Sequence, residues 1–319
     1  MKAIVQESYG SPDGLMLREI DRPVAGDDDV LVRVRAASVN AYDWGMLKRL
    51  PHMLGKLLRL PQTKVRGSDL AGHVETVGKN VSRFKAGDEV FGLGVGSFAE
   101  YATSTERRLA LKPRNLTFEQ AAALPMAGLT AVQGLRDKAC LKPGERILID
   151  GAGGGVGTFA VQIAKALGAQ VTAVSRTDNL ELLRSIGAEE VIDYSQEDFT
   201  KRGERYDVLF DVGGGHSLGD CRRVLAPNGI HVLAGAGQEA WPLIRRLLEA
   251  MLRSRIGGQR VGTFMARGKH EDLVVLKELA EAGKLTPVID RTYPLTETAD
   301  ALRYLSTRRA RGKVVIRVA

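Results

Sequence analysis

Residues 149–160 read IDGAGGGVGTFA. A short apolar run, RILID (146–150), leads into glycines and then into a helical pattern. Ala160, Ile163, Ala164 and Leu167 share one face of that pattern, and Gly168 ends it. Strand, glycine turn and helix come in the order that dinucleotide binding requires. Ala152, Gly154 and Gly157 hold the three fingerprint positions, with alanine replacing the first glycine. They serve a tight turn, close backbone approach to a pyrophosphate, and close packing of helix on sheet. The cradle is therefore assigned to Gly153, Gly154, Gly155, Val156 and Gly157, with the helix N-terminus offering N–H groups to phosphate.

The end of the next strand chooses the cofactor. An NAD site usually carries Asp or Glu about 20 residues past the glycines, where it accepts from the ribose hydroxyls. Here the strand VTAV (171–174) runs into Ser175 and Arg176. A hydroxyl and a guanidinium suit a 2′-phosphate, which a carboxylate would repel. The expected cofactor is NADP(H). Arg176 has a plainer alternative as a solvated surface arginine. Asp178 and Glu181 are spaced as a capping box for the following helix.

Working outward, EVIDY (190–194), YDVLFDV (206–212), IHVLAG (230–235) and RVGTFM (260–265) continue the strands, with helical stretches between. Such alternation predicts βαβ units and a doubly wound parallel sheet. Before residue 122 the texture is β-rich. VLVRVRAASV (30–39) alternates as a half-buried strand, and GDEVFGLGVGSFAEYA (87–102) is glycine-punctuated and strand-like. After residue 268 the alternation lapses, and the tail reads as a return to the first domain. The expected fold class is α/β, divided as 1–121, 122–267 and 268–319. A chain of 319 residues exceeds what one compact core usually covers.

Composition narrows the class. Apolar residues make up 44% and charged ones 26%, as in ordinary globular proteins. The net charge of +8 favours anionic partners without choosing among nucleotides, nucleic acid and acidic membranes. Only two cysteines, Cys140 and Cys221, argue for a reducing compartment and exclude a four-cysteine zinc lobe. The opening residues lack a signal-peptide core, and no apolar run would span a bilayer, so the expected location is cytoplasmic. Aromatic content of 5%, without an RNA-recognition motif, makes nucleic acid an unexpected partner.

Several segments together are similar to the zinc-independent quinone oxidoreductase (zeta-crystallin-like) branch of the medium-chain dehydrogenase/reductase superfamily. They are ASVNAYDW (37–44), GSDLAGHVETVG (67–78), FKAGDEVFG (84–92), ALPMAGLTAVQGL (123–135), GAGGGVGTFAVQIAKALGA (151–169) and ARGKVVI (310–316). The resemblance runs the length of the chain. It implies a β-rich GroES-like catalytic domain, a Rossmann domain, and an active site in the cleft between them. It implies NADPH-dependent reduction of quinones or of activated C=C bonds in enones and enals, and often a homodimer. By position, Asn40 would lie near nicotinamide and substrate, and Thr130 by the ribose or phosphates. Tyr194 would lie by the adenosine phosphate. Val212, Gly213, Ala234, Gly235 and Ala236 would line the nicotinamide end. Phe264 and Met265 would reach its carboxamide, and Arg311, Gly312 and Lys313 would close over the cofactor. Thr130 could instead cap a helix, Tyr194 pack in the core, and Lys313 be a surface charge.

Asn40, Tyr42 and Asp43 make up the candidate catalytic set. Some relatives carry a tyrosine a few places after the N–x–x–D pattern, where this chain has Gly45, so no acid is assigned. Solvent can protonate an enolate, and Asp43 is read as holding the loop. SDLAGHVE (68–75) offers Asp69, His73 and Glu75 as if to a metal. In zinc-dependent relatives, however, a Gly-His-Glu triplet stands at Gly67-Ser68-Asp69, and a cysteine ligand stands at Asn40. Both of those ligands are missing, and neither Cys140 nor Cys221 falls in an evident ligand loop. His73 and Glu75 are two apart on one strand face and lack a third ligand, so no metal is expected. A zinc-type alcohol dehydrogenase, or a nucleotide- or RNA-binding protein without turnover, stands as the alternative function.

Two basic apolar segments, 44–64 and 241–257, fit amphipathic helices that bury one face. A sharper reading makes the first a wall over a substrate cleft, and another makes one or both a membrane-surface patch; the buried amphipathic reading is favoured.

Overall fold

The computed structural model describes residues 1–8, 10–47, 64–234 and 258–318. Gly235, Ala236 and the segment 241–257 lie outside them. So does the segment 44–64, except for 44–47 and Lys64. The chain forms two units, Met1–Met126 with Gly268–Ala319, and Ala127–Arg267.

The second unit holds a six-stranded parallel sheet. Its strands are Arg146–Asp150, Gln170–Ser175, Glu190–Asp193, Tyr206–Asp211, Leu225–Leu233 and Arg260–Thr263. Numbered in chain order they lie 3-2-1-4-5-6, every neighbouring pair parallel. The order reverses between Arg146–Asp150 and Tyr206–Asp211, and ligands of such sheets bind where it does. Helix Gly155–Ala166 follows the first of these strands and buries Phe159, Ala160, Val161, Ile163 and Ala164. The expected capping box at Asp178–Glu181 does not form. Asp178 lies in a 3₁₀ turn, Thr177–Asn179, and the helix starts at Leu180 without a side-chain cap. Asn179 intervenes because its side chain is committed below the glycine turn.

Between the units' sequences runs helix Pro125–Val132, continued by a π-helical turn over Gln133–Ala139. The glycines in this stretch hid it from pattern reading. Gly134 is needed because a Cβ there would stand 2.5 Å from the Phe210 ring.

The first unit is built on a seven-stranded mixed sheet. Along it run Ile289–Pro294, Lys313–Arg317, Asp29–Val39, Asp69–Val77, Glu89–Leu93 and Leu109–Leu111, while Tyr101–Thr105 pairs separately with Asp29–Val39. Val30, Val32 and Val34 are fully buried, as the alternation predicts. The C-terminal strand pairs antiparallel with the third strand of the chain, Val314 opposite Val39 and Ile316 opposite Ala37. Residues at opposite ends of the sequence thereby become neighbours. No described helix is long and apolar enough to cross a membrane.

Candidate functional site

In the second unit the site is mainly backbone. Gly154 is the N-cap of helix Gly155–Ala166, with no side-chain bond capping it, so the first N–H groups face outward for an anion. A Cβ on Gly157 would stand 2.3 Å from Gly151 O and 2.5 Å from Ala152 Cα, so only glycine lets helix and turn approach. A Cβ on Gly154 would meet nothing nearer than Gly151 O at 3.6 Å. That side of the turn is open. The residues present fit a pyrophosphate.

At the end of the next strand Ser175 is buried and its hydroxyl accepts from Asn179 Nδ2 at 2.9 Å. Asn179 Oδ1 is buried with no partner among the described residues. Sequence reading passed over Asn179. A Cβ on Gly153 would collide with both side chains, at 2.2 Å from Asn179 Nδ2 and 2.5 Å from Ser175 Oγ. Gly153, Ser175 and Asn179 are thus one packed group, with the half-buried Arg176 beside them. Tyr194 is 53% exposed, which removes the core alternative.

The opposite lip of the crevice is Val212–Gly213. Both N–H groups donate to Asp150 O, at 3.0 and 3.2 Å. A Cβ on Gly213 would press on the Asp150 carboxylate at 2.9 Å. Ala234 N–H donates to Asp211 O at 2.9 Å. Thr130 is half-buried inside helix Pro125–Val132 and caps nothing as an N-cap. Phe264 packs against Gly134, and Met265 is 86% exposed. Gln133 clasps the end of this segment, its Nε2 donating to Arg267 O (2.8 Å) and its Oε1 accepting from Arg267 N–H (3.0 Å).

In the first unit the candidates form a buried ionic network. Asp69 Oδ2 accepts from Ser38 Oγ (2.7 Å) and Asn40 Nδ2 (2.9 Å), and Asp69 Oδ1 from Met126 N–H (2.9 Å). Lys313 Nζ donates to Asn40 Oδ1 (2.6 Å) and Val39 O (3.2 Å), and stands 3.5 Å from Asp69 Oδ2. Lys313 is 3% exposed, so it is not a surface charge. Both ends of the Asn40 amide are engaged, which fixes its orientation. Gly312 precedes Lys313 at φ +80, and a Cβ there would strike Val288 O at 2.3 Å. Arg311 is exposed.

Asp43 Oδ2 accepts from Asn40 N–H at 2.8 Å, while Asp43 N–H donates to Asn40 O at 3.0 Å. This resembles the reciprocal bonding of a capping box, and it holds the first turn of helix Ala41–Leu47. Ser68 Oγ is a long contact, 3.5 Å from Asp43 Oδ1. Burial raises the Asp43 carboxyl to about 7, and the neighbouring Asp69 charge adds to the rise. Burial likewise lowers Lys313, against the pull of Asp69 and Asp43. Asp69 collects several donors, whereas Asp43 has one close donor, the Asn40 N–H, to set against its burial. Tyr42 is 48% exposed.

The strand Asp69–Val77 confirms the placing of SDLAGHVE on a strand, but its polar residues disperse. Glu75 pairs with Arg22 (2.8 Å), and His73 lies 3.7 Å from Glu89 and against the Phe118 ring. Asp69 is absorbed by the network. A metal would fit poorly at Asn40 and Ser68, where the amide oxygen already accepts from the Lys313 ammonium and the other position offers only a hydroxyl. Among the described residues, the group of side chains placed closely enough to hold a metal is elsewhere: Asp211, Cys221 and His231, all buried. Sequence reading missed Cys221 because its companions lie ten residues to either side of it, on other elements.

The chain matches two described families, the alcohol dehydrogenase GroES-like domain over residues 26–114 and zinc-binding dehydrogenase over residues 186–316. It is 38% identical to a 2-methylene-furan-3-one reductase of Solanum lycopersicum, over 99% of this chain and 79% of that protein. It is 35% identical to a chloroplastic NADPH-dependent alkenal/one oxidoreductase of Arabidopsis thaliana, with the same coverage. The solved quinone oxidoreductase of Coxiella burnetii superposes with a TM-score of 0.87 at 30% identity, covering 100% of this chain and 99% of that one. With a 3-2-1-4-5-6 sheet, a glycine cradle and relatives of this identity along its whole length, the chain belongs to the quinone oxidoreductase branch of the medium-chain dehydrogenase/reductase superfamily.

Proposed function

We propose that the protein is an NADPH-dependent oxidoreductase that reduces a quinone, or the C=C bond of an enone or enal, without zinc at Asn40 and Ser68. The cradle at Gly153–Gly157 would hold the pyrophosphate, and Arg176 the 2′-phosphate. Bound NADPH supplies the hydride. Asn40, clamped between Lys313 and Asp69, presents a fixed amide edge toward the acceptor rather than a mobile one. Asp43 holds the turn that carries Asn40 and Tyr42.

The observation that carries the acceptor class is the buried ammonium of Lys313 among Asn40, Asp43 and Asp69. It supplies the positive charge of this pocket and leaves a dication there unfavourable. Without a metal to polarise an alcohol, an acceptor that is already electrophilic is required. The expected substrate is a small hydrophobic quinone or conjugated carbonyl compound.

The test follows loss of NADPH absorbance with a panel of quinones, enones and enals, beside NADP⁺ with simple alcohols. Turnover is expected with the first group only. Alcohol oxidation that disappears with a chelator and returns with zinc would reverse the reading toward a zinc alcohol dehydrogenase.

A further inference from the structure

We propose that Asp211, Cys221 and His231 form a buried site for a thiophilic divalent cation of the zinc class, within the second unit. The three side chains come from three elements. Asp211 ends the strand Tyr206–Asp211, Cys221 lies on the helix Leu218–Arg223, and His231 lies on the strand Leu225–Leu233. Their ligand-capable atoms all lie within 4.8 Å of one another. His231 is 0% exposed, Cys221 1% and Asp211 3%.

Two observations favour an ion over a plain polar contact. His231 Nε2 stands 3.0 Å from Asp211 Oδ2, yet Nδ1 is buried without a hydrogen-bond partner among the described residues. A lone pair stranded in this way costs roughly 1–3 kcal/mol, so the imidazole is incompletely satisfied as it stands. Asp211 Oδ1 meanwhile accepts from Gly214 N–H at 2.7 Å. That bond orients the carboxylate, as outer partners do around metal ligands.

The donor set selects the ion. Nitrogen, sulfur and oxygen ligands suit zinc, whereas calcium and magnesium require oxygens in larger number. A thiolate and a carboxylate neutralise a dication, so the loaded site carries no net charge into the interior. Binding releases the Cys221 thiol proton; if Nε2 becomes the ligand its proton passes to Nδ1, so the imidazole stays neutral. Metal–ligand lengths of about 2.0–2.3 Å require the three atoms to draw closer together than they stand. The site is remote in kind from the Asn40–Lys313 network. Its ion would be structural, fastening the helix Leu218–Arg223 to the strand ends that lead into Val212–Gly214 and Ala234.

The test uses the full chain, expressed with zinc and desalted. Elemental analysis is expected to find about one zinc per chain. Cobalt replacement is expected to give a thiolate-to-cobalt charge-transfer band. Cys221→Ser should abolish the band, and both Cys221→Ser and His231→Gln should weaken metal retention at least tenfold. X-ray absorption of the wild-type zinc protein needs no variant, and should show one sulfur among nitrogen and oxygen neighbours. Wild-type protein without zinc and without a cobalt band would overturn the proposal. So would zinc retained unchanged in both variants, or a zinc shell without sulfur.

Discussion

Gly153, Gly154 and Gly157 act in the second unit by having no side chains. In the first unit Asn40, Asp43, Asp69 and Lys313 act chiefly through buried polar and ionisable side chains. The cradle is contiguous and five residues long, and what it would offer a phosphate is N–H groups that every helix start possesses. The network joins strands and a helix across 273 positions of sequence, from Asn40 to Lys313, and depends on each member. A backbone site should fail locally when altered, and an ionic network should fail globally.

The sharpest way to break that contrast is Lys313→Met. Removing one partner of a buried ion pair strands the other, so stability should fall by about 3–5 kcal/mol in chemical denaturation. Adding Asp69→Asn should return part of the loss. A single-variant loss under about 1 kcal/mol would mean the network is no better than a surface pair.

Titration sharpens it further. Asp43 is raised in the folded state from 3.8 to about 7, so its contribution to stability is greatest below about 4. That contribution fades as pH rises from about 4 toward 7, because the unfolded carboxyl ionises there while the buried one holds its proton. The shift corresponds to about 4 kcal/mol at most. Other carboxylates titrate in the same range, so the quantity to measure is the difference between wild type and Asp43→Asn from pH 4 to 8. That difference should change in favour of the variant as pH rises. A flat difference would show that Asp43 is already ionised throughout.

In the cradle the expected effects are smaller and separable. Gly154→Ala has room within the fold, so Tm should hold while NADPH Kd rises about tenfold, or about 1.4 kcal/mol. Gly157→Ala meets backbone at 2.3 Å and should lower Tm as well as weaken NADPH binding. If the two variants behaved alike, the glycines would be serving packing alone. Arg176→Asp should lower kcat/KM for NADPH by tenfold or more and leave NADH little changed.

The smallest effect belongs to Gly45, in the helix Ala41–Leu47, where a Cβ would meet no described atom within 4 Å. Gly45→Ala should raise stability by about 0.5–1 kcal/mol, through the unfolded chain alone.

What was legible follows from the same contrast. The cradle was readable because its signal is local, with period, turn and helix start all within one window. The parallel strands were readable for the same reason, as short apolar runs between turns. Asp43 and Asn40 could be nominated from the resemblance carried by ASVNAYDW. Their partners could not, because Asp69 and Lys313 arrive by sheet pairing, and no local pattern says that Val314 will lie opposite Val39. Asn179 escaped because its neighbour Asp178 imitated a helix cap, and tertiary packing under Gly153 overrode that local preference. Cys221 escaped because its companions come from separate strands.

The two hydrogen bonds by which Gln133 holds Arg267 have a consequence for how the chain folds. They fasten the beginning of the inserted unit to its last residue. For the flanking unit, a folded insert of this kind closes like a short loop rather than a long one, and little entropy is lost when its two halves meet. The insert should therefore fold first and act as the guide that brings the final strand back to the third.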